Sequence, residues 1–204
     1  ASYRNLRVLS PTGWLRPFDR RRDGFVFADG AAALVLEPLD AARARGARIY
    51  AEVLGSGQTN DAESLVNPSQ LGAVECIEDA LADAGLAPSD IVHVNAHGTG
   101  TVVNDTREAE ALRHVFGTPP PVTSTKRVMG HAAAASGAFE AVITALSVHH
   151  GVMPSLGPDV DPDPTCELDL VIGPSRPFTP GPVLSNSFGL GGHNGCLVLG
   201  PPDA

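Results

Sequence analysis

A single lysine, Lys126, stands in VTSTKRVMGH (122–131), five residues before His131; the other thirteen basic side chains are all arginine. Lysine is a compact point charge with three rotatable donors, whereas arginine is a broad planar fork. A chain that uses arginine everywhere else and lysine here is consistent with a tight, partly buried position. A second histidine, His97, lies in NAHGTGT (95–101), where two glycines free the backbone for close approach. Thr99 and Thr101 offer hydroxyls in alternation along the same loop. Taken alone, each stretch has an ordinary reading: a polar turn with a backbone-bonded histidine, and a solvated lysine after a strand. Glu140 is the one carboxylate in AAAASGAFEAVITAL (132–146). A buried carboxylate is costly unless paired. Lys126 and Asp105 are therefore expected to share its network, the alternative being that Glu140 lies on an exposed stripe.

The last loop, SNSFGLGGHN (185–194), carries three glycines beside Phe188 and Leu190. It suits a mobile backbone segment whose N–H groups face a ligand, like one wall of an oxyanion hole. His193 in this loop is read as structural, as are His93, His114, His149 and His150, which have no partner pattern. Cys76, Cys166 and Cys196 are odd in number and lack metal-type spacing. None sits at a strand-to-helix elbow that would activate a thiolate. They read as reduced thiols of a cytoplasmic protein. Two histidines, a lysine, two threonines and a glycine-rich segment thus converge without a nucleophile.

These residues need elements to position them. Residues 24–39 resemble two glycine-interrupted strands, and 40–46 a short helical turn. Residues 48–58 read as a strand. Val74, Ile77, Leu81 and Ala84 recur at helical spacing with Gly85 as the stop. Residues 90–98 read as a buried strand running into a turn. A helix over 104–117 is expected, capped by Asn104 or Asp105 and ended by Gly117. A strand follows near 120–126, then a long small-residue helix over 132–151, and finally strand, glycine turn and strand over 182–200. Alternating strands and helices imply an α/β fold with a mainly parallel sheet, whose loops at the carboxyl ends of strands collect function. No internal repeat is evident.

Composition narrows the function classes. With 43% hydrophobic residues in 204, the chain can build one substantial core or half of a larger one. The net charge of -9 argues against nucleic-acid binding, which needs a basic surface. No apolar run reaches ~18 residues, so no membrane-spanning helix is expected. The chain opens without methionine on ASYRNLRVLS, as if inside a fold.

RPFDRRRDGFVFADGAA, VNAHGTGTVVND, VTSTKRVMGH and SNSFGLGGHNGCLVLG, in this order, resemble the β-ketoacyl-acyl carrier protein synthases, the elongating condensing enzymes of fatty acid and type II polyketide synthesis. The match is to the family's C-terminal half. It implies a thiolase-like fold, of which residues 1–204 would be the C-terminal half of a duplicated α-β-α-β-α architecture. The nucleophilic cysteine would lie in an N-terminal half outside this chain. By the same resemblance, His97 and His131 would be the histidine pair that receives the malonyl thioester oxygen during decarboxylation. Lys126 would order the site with Glu140 and Asp105. Thr99 and Thr101 would bind the phosphopantetheine arm of an acyl carrier protein, and the backbone N–H of Leu190 would join the oxyanion hole. Asn95, Glu140, Ser185 and Asn186 match the residue types that surround a structural cation in some members; no cofactor is required. Leu190 replaces the family's gating phenylalanine, while Phe188 is kept. The implied partners are the carrier protein, with Arg20, Arg21 and Arg22 as docking candidates, the N-terminal half, and a second synthase in a homo- or heterodimer. The alternatives are a malonyl-carrier-protein decarboxylase of the same fold, and a non-catalytic chain-length-factor-like subunit.

Overall fold

The computed structural model describes residues 2–62 and 64–202 of the chain. Two short helices, α1 (Ser2–Asn5) and α2 (Leu39–Ala44), precede β1 (Glu52–Asn60) and α3 (Gln70–Ala84). Then come β2 (His93–Asn95), α4 (Val102–Phe116), β3 (Val122–Thr123), α5 (Lys126–Met129) and α6 (Ser136–His150). The chain closes with β4 (Val152–Met153), β5 (Arg176–Pro177), β6 (Val183–Gly189) and β7 (His193–Gly200). The helical periodicity is obeyed: Val74, Ile77 and Leu81 are buried on α3, and Gly85 ends it in the left-handed region at φ 66°.

The main sheet runs β1-β7-β6-β2-β3, with α3 and α4 on one face and α6 on the other. It is mixed rather than mainly parallel. β2 pairs parallel with β3 and β6, but β6 and β7 are joined by a tight turn and must run antiparallel, and β1 pairs antiparallel with β7. The core fills the α3–α4 face, where Ile77, Leu81, Val94, Leu112, Leu184 and Val198 meet.

Three local expectations change. Residues 29–38 form no strand: no strand among the described residues pairs with them, and Val35 and Leu36 are left 89% and 74% exposed. A strand needs a neighbour for its N–H and C=O groups. The N-cap of α4 is Thr101, with Asn104 and Asp105 already inside its first turn and buried. The long helix begins at Ser136, after a 3₁₀ turn at Ala133–Ala135.

Candidate active site

The loops after β2 and β3 bring His97 and His131 together, with ring centroids 5.6 Å apart and planes near perpendicular. Both rings line a cavity of about 1000 Å³, whose wall also includes Thr99, Thr101, Phe188 and Leu190. Phe188 lies 5.8 Å from the His97 ring, and the Thr99 and Thr101 hydroxyls are hydrogen-bonded at 3.0 Å. All six cavity residues singled out from the sequence therefore share one wall.

Lys126 and Glu140 stand behind that wall, fully buried, and form an ion pair. The ammonium also donates to the His97 carbonyl (2.7 Å) and to His97 Nδ1 (3.2 Å). Its three N–H groups thus meet three acceptors. With Nδ1 accepting, the His97 proton belongs on Nε2. Glu140 completes its own set by accepting from Ser187 Oγ (3.3 Å). Burial pushes the Glu140 carboxyl above its usual range, against the pull of Lys126. Burial first, then the Lys126 charge, drives His97 well below an ordinary imidazole and His131 down to about 4. Both rings are neutral near pH 7.

Asp105 is not in this network. It accepts from the Phe18 N–H (2.8 Å), the Gly100 N–H (3.1 Å) and Asn104 Nδ2 (3.2 Å), bracing the backbone around the loop. Burial raises it to about 6. The carboxylate that holds His97 from below is Glu108, which the sequence reading missed. It receives the His97 and Gly98 N–H groups, each at 2.8 Å, and Asn186 Nδ2 at 3.1 Å. Burial pushes it up to about 7. Its signal was present: Glu108 interrupts the Asp105–Ala109–Leu112 stripe that buries α4. Gly98, at φ 38°, is required less by a ligand than by the chain itself, since a Cβ there would come within 2.6 Å of Ser124 Cβ.

His131 is held by residues 25–28. Its N–H donates to Val26 O (2.8 Å), its carbonyl accepts from the Ala28 N–H (3.1 Å), and its ring packs 4.8 Å from Phe25. Its Nδ1 lies 2.8 Å from Ser136 Oγ. Segment 25–28 thus supports a site residue rather than a strand of the sheet. α5 is only one turn long, and Arg127 anchors it on Leu156 O, Leu15 O and Asp159.

The β6–β7 turn is clamped rather than loose. Gly191 N–H donates to Leu65 O (2.8 Å), Asn60 Nδ2 to Gly191 O (3.1 Å), and Asp61 N–H to Gly192 O (2.9 Å). His193 Nδ1 meets the same Asn60, in keeping with a structural role. The candidate cation residues do not form one side-chain cage. Asn95 and Ser185 are register partners on the α6 side, and Asn95 Oδ1 is a buried oxygen without a hydrogen bond. The Asn186 side chain, one residue on, points to the opposite face, towards Glu108 and Cys196. Among the described residues no three His, Cys, Asp or Glu side chains cluster to hold a metal. Of the docking arginines, Arg22 is buried on Asp163 and Thr106, while Arg20 remains exposed beside Asp161.

Known proteins share this sequence pattern and fold. The family model described as beta-ketoacyl synthase, C-terminal domain, matches residues 50–157, and the beta-ketoacyl synthase N-terminal domain model matches residues 1–42. The 3-oxoacyl-acyl-carrier-protein synthase 2 of Mycobacterium tuberculosis is 44% identical over 98% of this chain and 50% of its own length. A solved structure of the ishigamide ketosynthase/chain length factor superposes with a TM-score of 0.94 at 38% identity, covering 98% of this chain and 50% of that one. A type II PKS acyl-carrier protein in complex with its ketosynthase bound to the hexaketide gives 0.94 at 32% identity, covering 98% and 52%. The chain spans about half the length of the relatives it matches.

Proposed function

The chain belongs to the beta-ketoacyl synthase family, and we propose that it supplies the decarboxylating half of a condensing-enzyme site. The reaction is a Claisen condensation between an acyl thioester on the enzyme and malonyl-acyl carrier protein. The observation that carries the reading is the pair of imidazoles meeting at the cavity, one of them fixed by Lys126 as the Nε2–H tautomer.

As the malonyl C–CO₂⁻ bond breaks, carbon dioxide leaves and its bonding electrons become an enolate. The negative charge gathers on the thioester oxygen. N–H donors from His97 and His131 placed at that oxygen stabilise charge that exists mainly in the transition state. The enolate carbon then attacks the acyl carbonyl, and the enzyme's thiolate leaves. That thiolate belongs to a residue outside this chain. The three thiols here are buried and engaged with Gly57 O, Asp105 O and Asn186 Oδ1.

Thr99 and Thr101 would receive the phosphopantetheine arm at the cavity wall, and the Leu190 N–H would face the acyl carbonyl. No cofactor enters the reaction, and the divided donor set gives no step to a cation. The N-terminal half would cover the exposed Val35 and Leu36. The partner is an acyl carrier protein, with Arg20 among the docking candidates, and a dimer of complete synthases in the cytoplasm fits the unpaired cysteines. Among the described residues no helix is long and apolar enough to cross a membrane.

The deciding experiment is malonyl-carrier-protein decarboxylation and condensation by the protein, with H97A and H131A beside it. Loss of both activities, by roughly 100- to 1000-fold for either variant, supports the reading. Decarboxylation that survives both substitutions would overturn it. With the cysteine-bearing half present, retained decarboxylation without any condensation favours the decarboxylase alternative.

A further inference from the structure

The α3 face of the sheet holds a pair of thiols that the condensation does not use. Gly57, Cys196 and Asn186 lie side by side on β1, β7 and β6 as register partners. Gly57 has no side chain, and α3 settles so closely that a Cβ there would lie 2.1 Å from Cys76 O. Cys76 occupies the space, its thiol donating to Gly57 O at 3.3 Å, next to Cys196. Gly57, bonded to one thiol and paired in register with the other, thus brings Cys76 and Cys196 side by side under α3. Cys196 donates its S–H to Asn186 Oδ1 at 3.3 Å. From Asn186 the bonds run on through Glu108 to the His97 and Gly98 N–H groups.

We propose that Cys76 and Cys196 form a reversible disulfide-forming site whose state is transmitted through Asn186 and Glu108 to the His97 loop. The oxidant class is a small peroxide. The Cys76 sulfur attacks one peroxide oxygen, the O–O bond breaks, and a sulfenic acid and water result. The Cys196 thiol then attacks that sulfur, the S–O bond breaks, and a second water leaves. Two thiols lose two electrons and two protons to one hydrogen peroxide. The pairing fits the electronic asymmetry of the thiols: the neighbouring Cys196 draws Cys76 below the ordinary thiol range, whereas burial holds Cys196 well above it. The disulfide removes the S–H that Asn186 Oδ1 accepts, leaving a buried oxygen unpaired one step from Glu108. Cys166 lies apart, donating to Asp105 O at 3.8 Å.

The probe is dilute hydrogen peroxide on the folded protein, followed by intact mass and peptide mapping under denaturing alkylation. Expected is a product lighter by two hydrogen atoms, with one Cys76–Cys196 linked peptide and Cys166 still alkylated, reversed by dithiothreitol. Both thiols remaining free, or Cys196 or Cys76 singly oxidised without a link, would overturn the site. The coupling to His97 rests on the proposed function and has its own readout. Decarboxylation should fall roughly tenfold with the link and return on reduction, and C76A should keep basal activity and lose the peroxide response. A link that leaves decarboxylation unchanged, or an equal response in C76A, would overturn the coupling alone. A protein that stays inactive before oxidation even with the cysteine-bearing half present would sink the condensing-enzyme reading, while the mass result still decides the site.

Discussion

Lys126 Nζ lies 2.7 Å from the carbonyl oxygen and 3.2 Å from Nδ1 of the same residue, His97. One ammonium therefore fixes both the backbone and the ring of a cavity histidine, and its remaining proton goes to Glu140. A point charge can serve three acceptors converging from different directions, which a planar guanidinium cannot do. K126R should accordingly behave like a disruption. Expected is a loss of roughly 3–5 kcal/mol in stability, the usual cost of breaking a buried pair. Decarboxylation should fall at least as far in K126R as in K126A. Urea unfolding and single-turnover decarboxylation would check both; a K126R protein with native stability and rate contradicts the argument.

The acid limb of the rate profile should sit well below ordinary histidine. His131 is held down to about 4 by burial and by Lys126, and His97 lies lower than the usual imidazole for the same reasons. Near-constant decarboxylation from pH 8 to about 5 is expected. A half-maximal rate at pH 6.5 that persists in E108Q and D105N, which remove the raised carboxyls of the same loop, would mean that one imidazole titrates freely, and the neutral-donor mechanism would then be wrong.

Glu108 makes the opposite demand on stability. The folded carboxyl keeps its proton up to about pH 7, whereas its ordinary value is 4.5. Between these values the folded state binds more protons than the unfolded one, so this group's contribution falls as pH rises and is flat above about 7. The largest loss is roughly 3 kcal/mol. His131 acts with the reverse sign: the unfolded imidazole takes its proton below 6.5 and the folded one only near 4, so its contribution rises with pH across that window. Comparing E108Q with the parent isolates the Glu108 part. Urea unfolding at pH 5 and pH 7.5 should show the parent losing stability relative to E108Q. Parallel curves would show that Glu108 titrates normally.

The site was more legible in the sequence than the frame that holds it. His97, Lys126 and His131 stood out in segments that follow strands and Glu140 as the one carboxylate of a helix, and the structure brings all four together. Phe188, Leu190 and the two threonines reach the same cavity. Asp105 was assigned to the Glu140 network and Glu108, three residues on along the same buried helical face, was missed, because only packing decides which carboxylate meets which N–H. The sheet's direction was misread because alternating strands and helices do not reveal that β1 returns to pair with β7. Residues 24–39 read as strands by their apolar content, yet strand formation is a property of two segments, and the described residues offer 29–38 no partner strand. Their neighbours at 25–28 instead hydrogen-bond to His131, a contact no local pattern encodes.

Gly57 and Gly85 separate crowding from backbone strain. A methyl at Gly57 would meet Cys76 O at 2.1 Å and Ala80 N at 2.8 Å, both backbone atoms of a packed helix. Neither can move without lifting α3 from the sheet. G57A should cost about 3 kcal/mol or more. G85A meets nothing within 4 Å and bears only the left-handed φ of 66°, so about 1 kcal/mol is expected. Equal losses in the two variants would show that α3 can shift freely.

Asn60 tests whether the turn bearing Leu190 is held or swings. Its amide donates to Gly191 O at 3.1 Å and meets His193 Nδ1 at 3.1 Å. The turn is gripped twice more by backbone bonds, Gly191 N–H to Leu65 O and Asp61 N–H to Gly192 O. Removing one of three grips should cost global stability only about 1 kcal/mol, because the strands themselves remain paired. The local effect is larger in kind: with Asn60 truncated, the Gly191 N–H is released more often, and the Leu190 backbone loses its fixed approach to the cavity. N60A should speed amide exchange at Gly191 about tenfold while leaving Leu184 and Val198 in the core protected. Exchange rising uniformly through β6 and β7 would instead mean that Asn60 holds the hairpin as a whole. Unchanged exchange at Gly191 would show that the two backbone bonds alone keep the turn in place.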